Sequence, residues 1–287
     1  MQLKAQSYAK LNITLNVTKK RADGYHELES IMQSVSLFDT VTVSTNKKGI
    51  ITVKTDNKKL SDEENIAKIA AEEYFSAAKL DDGADIVIEK RIPLSAGLGG
   101  GSADAAAVLT LLNKCYGALS EETLKEVALS VGADVPFCMS GGTAYVSGIG
   151  ENIKKQADLP KCYILICKNA QKSSTKDVYA AIDRFALKKD DSNKVAQTAV
   201  NNGDLKGLCK ASFNDFSMVV KESGIETVMN ILENTNALCI GMSGAGPTVF
   251  AVFEEKEDAD EIYKIFKPSA QFVAVCEPVP YGVEIID

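Results

Sequence analysis

The stretch PLSAGLGGGSADAAA, Pro93–Ala107, most narrows what this chain can fold into. Four of the five residues from Gly97 to Gly101 are glycine, and an alanine-rich run follows. Glycine loses more backbone freedom on folding than any other residue, so a cluster this dense needs a reason. Upstream, ADIVIEKRI (Ala84–Ile92) reads as a strand ending at Pro93; downstream, the spacing predicts a helix to about Cys115. A strand, a bare loop and a helix start together make a device for holding an anion. The first N–H groups of a helix lack partners, the dipole is positive there, and glycines let a phosphate come close. Close helix packing explains the alanines but not three successive glycines. The loop is not a Walker A loop, since no Gly-Lys-Ser/Thr follows, and Ser102 takes the last place of a G-x-G-x-x-G pattern. Ser102 offers instead a hydroxyl suited to a phosphate oxygen or a magnesium-bound water.

If phosphate is bound, it is bound by local devices. The net charge is −7 over 287 residues, and no basic block suggests a nucleic-acid surface. With 45% hydrophobic residues the chain can bury a full core in one large domain or two ordinary ones. The seven cysteines are odd in number and lack C-x-x-C or zinc-type spacing. Cys162 and Cys167, in CYILIC, point to opposite faces of a predicted strand. Free thiols in a reducing cytoplasm are the expectation. The N-terminus has no signal-peptide pattern, and no apolar run is long enough to span a membrane.

Period-two alternation predicts strands over Leu3–Val17, Ser36–Thr45 and Gly49–Thr55. Ser61 with Glu64 reads as a capping box for a helix through Ile66 and Ile69, and Ser120 with Glu121 and Glu122 as the start of another ending near Gly132. The second half reads as a strand at Cys162–Cys167, helices from about Ser174 to Asn234, two strands around SGAGP (Ser243–Pro247), a helix at Lys256–Phe266 and a closing strand at Gln271–Cys276. Strands and helices mix without steady βαβ alternation, which favours α+β. A polar stretch with Pro160 places a boundary near residues 155–160, dividing the chain into 1–157 and 158–287.

The glycine loop resembles the phosphate loop of the GHMP kinase superfamily, and further stretches extend the resemblance along nearly the whole chain. These are AKLNITLNVTKKRADGYHELESIMQSVSLFDTVTV (Ala9–Val43), GADVPFCMSGGTAYVSGIGE (Gly132–Glu151), STKDVYAAID (Ser174–Asp183), FNDFS (Phe213–Ser217) and MSGAGPTVFAVF (Met242–Phe253). They are similar to the branch whose acceptor is a cytidine diphosphate-linked polyol. The Asp23-Gly24-Tyr25-His26 stretch, with Lys10 ahead of it, is the most specific part. Many superfamily members have a second serine where this chain has Ala103.

The resemblance implies a two-domain α+β fold, with an N-terminal half like ribosomal protein S5 domain 2, a ferredoxin-like C-terminal half and ligands in the cleft between them. It implies ATP as phosphate donor, Mg2+, and phosphorylation of the 2-hydroxyl of 4-diphosphocytidyl-2-C-methyl-D-erythritol on the methylerythritol phosphate route to isoprenoid precursors. The ATP cradle would be Pro93, Leu94, Ser95, Ala96, Gly97, Leu98, Gly99, Gly100, Gly101, Ser102 and Ala103. Lys10 and Asp134 would be catalytic, the carboxylate taking the hydroxyl proton and the ammonium steadying it. By residue type alone, Asp134 ahead of Val-Pro also suits a helix N-cap, and Lys10 a side chain snorkelling at a strand end. Tyr25 and Tyr179 would sandwich the cytosine, read by His26, the chain's single histidine. The spacing of Tyr179 with Val178, Ile182 and Phe185 equally fits a helix core face. Thr175 and Asn12 would contact the acceptor, and Ser243 and Gly244 would lie near the phosphates. No magnesium ligands are legible.

Overall fold

The computed structural model describes residues 1–56, 65–171, 174–185 and 191–286. The first half runs β1 (Gln2–Asn12), β2 (Thr14–Lys20), β3 (His26–Asn46), β4 (Ile51–Thr55), α1 (Ile66–Ala78), β5 (Gly83–Glu89), α2 (Gly100–Tyr116), α3 (Glu121–Val131), α4 (Val135–Ser140), β6 (Thr143–Gly148) and β7 (Asn152–Lys155). The long strand β3 is its axis: β1, β2, β5 and β6 all pair with it antiparallel. Its apolar residues at period two, Val41 and Val43 among them, face a core shared with Ile86 and Ile88 of β5 and with α1 and α2. The alanine run explains how α2 fits there. Ala103, Ala105, Ala106 and Ala107 are fully buried, and their small side chains let sheet and helices approach from several sides of α2.

The second half runs β8 (Tyr163–Lys168), α5 (Thr175–Ile182), α6 (Ser192–Asn201), α7 (Leu205–Lys210), β9 (Phe213–Asn214), a 3₁₀ turn over Asp215–Met218, α8 (Ser223–Leu232), β10 (Cys239–Met242), β11 (Thr248–Phe253), α9 (Lys256–Phe266), β12 (Phe272–Cys276) and β13 (Val283–Ile286). Strands β10, β11, β8 and β12 form an antiparallel sheet in that order. Helices after β8 and β11 complete the β-α-β-β-α-β plan of a ferredoxin-like unit. The α+β expectation holds.

Several boundaries differ from the sequence expectation. The strand expected over Leu3–Val17 is two, β1 and β2, broken at Ile13, which turns into a small cluster with Ile31. The chain does not close at Cys276, because β13 returns to the larger sheet and pairs with β1, Lys4 opposite Ile286. The capping box at Ser61 and Glu64 lies outside the described residues; α1 begins at Ile66, and the Asn65 side chain accepts from the Ala67 N–H at 3.0 Å. Ser120 does cap α3, accepting from Thr123 N at 3.2 Å.

Candidate active site

The glycine loop lies between β5 and α2 and is pinned from two sides. The Lys10 N–H donates to Leu98 O at 2.9 Å, and Ser243 Oγ donates to Gly97 O at 2.9 Å. Ser243 Oγ also accepts from the Asn12 N–H at 3.3 Å, so one hydroxyl ties β1, the glycine loop and the turn between β10 and β11. Gly97 has φ +75°, and a Cβ there would sit 2.4 Å from Ser243 O, so only glycine lets the two loops pack. Gly99 is the N-cap of α2 with φ +68° and no side-chain cap. The first helical bond runs from Ala103 N to Gly99 O at 2.8 Å. The N–H groups of Gly100, Gly101 and Ser102 therefore have no partner within the helix and face the positive end of its dipole. Pro93 through Ser102 line a cleft of about 420 Å³. Ala103 does not; its side chain is fully buried in the core.

Across the cleft stands Lys10. Period two along β1 sends Leu11 into the core and Lys10 and Asn12 to the other face. The buried Lys10 ammonium donates to Asn12 Oδ1 at 2.8 Å and lies 3.2 Å from Asp134 Oδ2. Asn12 is held in turn, its Nδ2 donating to Ser30 Oγ at 2.9 Å. Asp134 occupies the N-cap position of α4, as its residue type suggests, but its side chain makes no cap bond. The carboxylate turns to Lys10 and is 41% exposed, open to a ligand.

Beside this cleft is a second cavity of about 650 Å³. Tyr25, His26, Tyr179 and Asp183 line it, and Leu28, Ser102, Asp134 and Tyr179 belong to both cavities. Asp134 thus marks the junction. His26 lies flat on Tyr179, ring centroids 4.7 Å apart and planes 24° from parallel. Phe216 meets Tyr179 edge-on at 4.9 Å. Tyr179 is half-buried against the smaller core, so it is both a packing residue and a wall of the site. Burial, then the nearby Asp134 charge, pushes its hydroxyl up to about 12. Tyr25 is 62% exposed and lines the cavity next to His26, which stacks on Tyr179. Thr175 opens α5, but its side chain lies outside the described residues.

Three groups escaped the sequence reading. Behind the loop, the buried Lys90 ammonium bridges Asp39 and Asp104, the latter at 2.6 Å. Asp39 Oδ1 also accepts the N–H groups of Arg91 and Ile92, at 2.5 and 2.8 Å. The triad fixes the end of β5 against the second turn of α2. Burial raises the Asp104 carboxyl to about 7, Lys90 opposing and Asp39 adding to the rise. Asp104 was visible as a lone carboxylate in an alanine run. Asn214 donates to Met242 O and Gly244 O at 2.6 and 2.8 Å, and Asp215 accepts from Asn16 Nδ2 and Val17 N at 2.8 and 2.7 Å. The FNDFS motif is thereby a brace between the glycine turn and β2. Asp183, four residues after Tyr179 on α5, bonds His26 and Lys20.

No group of three or more His, Cys, Asp or Glu converges to hold a metal among the described residues. The oxygen donors lining the cleft include the Ser102 and Ser95 hydroxyls, the Asn12 amide and the Asp134 carboxylate. Magnesium commonly keeps its waters and binds through one or two carboxylates plus substrate phosphates, which this donor set suits.

Comparison with known proteins agrees with this architecture. Residues 65–142 match the GHMP kinases N terminal domain and residues 196–269 the GHMP kinases C terminal domain. The chain belongs to the GHMP kinase family. As a member it is an ATP-dependent kinase. The 4-diphosphocytidyl-2-C-methyl-D-erythritol kinase of Caldicellulosiruptor saccharolyticus is 41% identical over 279 residues, covering 95% of this chain and 96% of the relative. The enzyme of the same name from Clostridioides difficile is 39% identical, covering 99% and 97%. A crystal structure of 4-(cytidine 5'-diphospho)-2C-methyl-D-erythritol kinase superposes with a TM-score of 0.80 at 28% identity, covering 96% of this chain and 99% of that one. A homoserine kinase from Cytophaga hutchinsonii, at 20% identity and a TM-score of 0.79, shares the fold.

Proposed function

We propose that this chain transfers the γ-phosphoryl group of ATP to the 2-hydroxyl of 4-diphosphocytidyl-2-C-methyl-D-erythritol, on the methylerythritol phosphate route to isoprenoid precursors. The observation that carries the reading is the Lys10–Asp134 pair at the junction of a glycine-lined cleft and an aromatic cavity. The 41% identical relative of that name supports the choice of acceptor.

The triphosphate lies along the loop from Pro93 to Ser102, its oxygens taking the free N–H groups at the start of α2. The acceptor's cytosine enters the aromatic cavity, with Tyr25, His26 and Tyr179 as its contacts, and Asn12 and Thr175 meet the rest of the acceptor. This directs the polyol hydroxyl to Asp134. Lys10 sits against that carboxylate and offsets charge at the attacking oxygen. Asp134 takes the hydroxyl proton, the oxygen bonds to the γ-phosphorus, and the bond to the β,γ-bridging oxygen breaks, releasing ADP. Ser102 and Asp134 would hold Mg2+ together with the phosphates, and the ion would supply charge neutralisation. The setting is cytoplasmic, a reading supported by seven unpaired cysteines. Among the described residues, no helix is long and apolar enough to cross a membrane.

Offering ATP with the cytidylated methylerythritol, mevalonate and homoserine in parallel tests the reading. ADP release is expected with the first alone. Release with mevalonate or homoserine, and none with the cytidylated acceptor, overturns it.

A further inference from the structure

We infer that Cys209 and Cys239 are a redox-active pair of thiols, which a low-molecular-weight disulfide such as oxidised glutathione closes into an intramolecular disulfide that loosens the brace on the glycine loop. ATP binding alone reads out the effect, whichever acceptor the enzyme takes.

Sheet register and one helix bring the thiols together. Cys239 of β10 lies opposite Val252 of β11, and Val252 lies opposite Ile164 of β8. Cys162, two residues before Ile164, falls on the same face, and Cys162, Ile164, Val252 and Cys209 all belong to the larger core. Cys167 faces the smaller core on the other side of the sheet. Helix α7 reaches this end of the sheet, where Lys206 meets Glu254, just past β11, at 3.1 Å. Cys209, three residues after Lys206 on the same side of α7, hydrogen-bonds Cys239. Cys209 is buried, whereas Cys239 is half-buried and within reach of a small oxidant. The hydrogen bond to Cys239, then burial, pushes the Cys209 thiol up, and the nearby Glu254 and Asp204 charges add to the rise. Cys209 therefore keeps its proton, and Cys239 reacts first.

The exchange balances in two steps. The Cys239 thiolate attacks one sulfur of oxidised glutathione; a mixed disulfide forms, the oxidant's S–S bond breaks, and one glutathione leaves. Cys209 gives up its proton and attacks the Cys239 sulfur, expelling the second glutathione. The pair loses two electrons and two protons, and the oxidant leaves as two thiols. In a reducing compartment such bonds are transient and serve sensing. The two cysteines stand at the roots of the brace over the glycine loop. Asn214 is five residues on from Cys209, and Gly244 five on from Cys239. Asn214 Nδ2 donates to Met242 O and Gly244 O, and Ser243 Oγ donates to Gly97 O. A covalent bond in place of the thiol contact draws α7 and β10 together. It shifts Asn214 and Ser243 against the loop they hold, and with it the N–H groups that take the phosphates.

The full chain is treated with oxidised glutathione and then with dithiothreitol. After the oxidation step, with free thiols blocked and the protein digested, mass spectrometry should find a peptide pair linked through Cys209 and Cys239. The free-thiol count of the denatured protein, seven when reduced, should drop by two. Calorimetry should find ATP bound roughly 10- to 100-fold more weakly by the oxidised protein, with the affinity restored by dithiothreitol. Cys209→Ser and Cys239→Ser should bind ATP as the reduced wild type does and should not weaken on oxidation. Urea denaturation checks that each variant folds; if the buried Cys209→Ser does not, the half-buried Cys239→Ser carries the test. No linked peptide, a glutathione left on Cys239 with Cys209 free, or a link from Cys209 to Cys162 would overturn the pairing. A Cys209–Cys239 link with unchanged ATP affinity would overturn its effect on the loop.

Discussion

Gly99→Ala separates what the loop does for folding from what it does for catalysis. Two effects are built into the position. The backbone is left-handed, φ +68°, which costs an L-residue about 1–2 kcal/mol. A methyl there would also lie 2.8 Å from Lys10 Cγ and 3.2 Å from its Cε. Carbon atoms rest about 3.5–4.0 Å apart, so the lysine must retreat by about 0.7–1.2 Å. Lys10 Nζ has its partners at 2.8 Å (Asn12 Oδ1) and 3.2 Å (Asp134 Oδ2), and a retreat of that size strips it from one or both. Misplacement by about 1 Å at a reacting centre costs roughly 100-fold in rate. Gly117, at the other end of α2, is the control: its φ is +60° and a Cβ there would meet nothing within 4 Å. Urea denaturation should show both alanine variants destabilised by about 1–2 kcal/mol. Steady-state kinetics should show a loss of kcat near 100-fold in Gly99→Ala alone, with KM for ATP within about threefold of wild type. If the two variants have equal kcat, the position of Lys10 does not matter to the reaction and the role given to it is wrong.

Asp134→Asn should lower kcat by roughly 10²- to 10⁴-fold while calorimetry finds ATP binding nearly unchanged, since the carboxylate serves the acceptor proton. Lys10→Met should likewise act on kcat; an effect confined to ATP affinity would contradict its placement against Asp134. Tyr25→Leu should raise KM for the cytidylated acceptor roughly 5- to 150-fold, a stacking loss of about 1–3 kcal/mol, and leave KM for ATP alone. The Asp104 carboxyl is raised in the folded protein, so the unfolded chain gives up that proton first. Its contribution is therefore greatest below about pH 4 and is lost as pH rises to about 7. Asp104→Asn removes that dependence. The stability of wild type relative to the variant should fall between about pH 4 and about pH 7 in urea titrations, and a constant difference would show that Asp104 does not titrate in this range.

What the sequence revealed, and what it hid, divides by the range of the forces involved. The loop and α2 were legible because glycine and alanine clusters are local and have few uses. Asn65 as the cap of α1, the return of β13 and the break at Ile13 were not, because each depends on a partner far along the chain or on a one-residue choice among capping types. Lys10 and Asp134 could be singled out only by resemblance. By residue type alone a strand-end lysine and an aspartate before Val-Pro have ordinary explanations, and the cap position of Asp134 shows that the ordinary one was half right. The Asp39–Lys90–Asp104 triad left almost no trace, since its members are 51 and 14 residues apart along the chain from Lys90 and become one object only when β3, β5 and α2 meet.

The same geometry explains why so much of the site rests on β1. Its alternation puts Lys10 and Asn12 on one face, while the N–H of Lys10 holds the glycine loop and the N–H of Asn12 meets Ser243. Both pairs of contacts, side chain and backbone, depend on the register of β1 with β3, which shifts at Tyr8/Ala9, just before Lys10. A one-residue slip would turn Leu11 into the cleft and both polar groups into the core. The second half of the chain reaches the phosphate cleft differently, through the Ser243 hydroxyl, the backbone around Gly244 and Gly246 and the Lys168 ammonium on Leu94 O. Its aromatic contribution meets both cavities: Tyr179 lines the two of them, and Phe216, which backs it, lines the glycine-loop cleft. On the proposed function, the phosphate cleft is thus shaped by backbone and by one strand's register, and the acceptor cavity by side chains of the β2–β3 hairpin and α5. A homoserine kinase shares this fold at 20% identity. On the proposed function, the acceptor's base is met at the hairpin between β2 and β3 and at the end of α5, which Asp183 bonds to that hairpin.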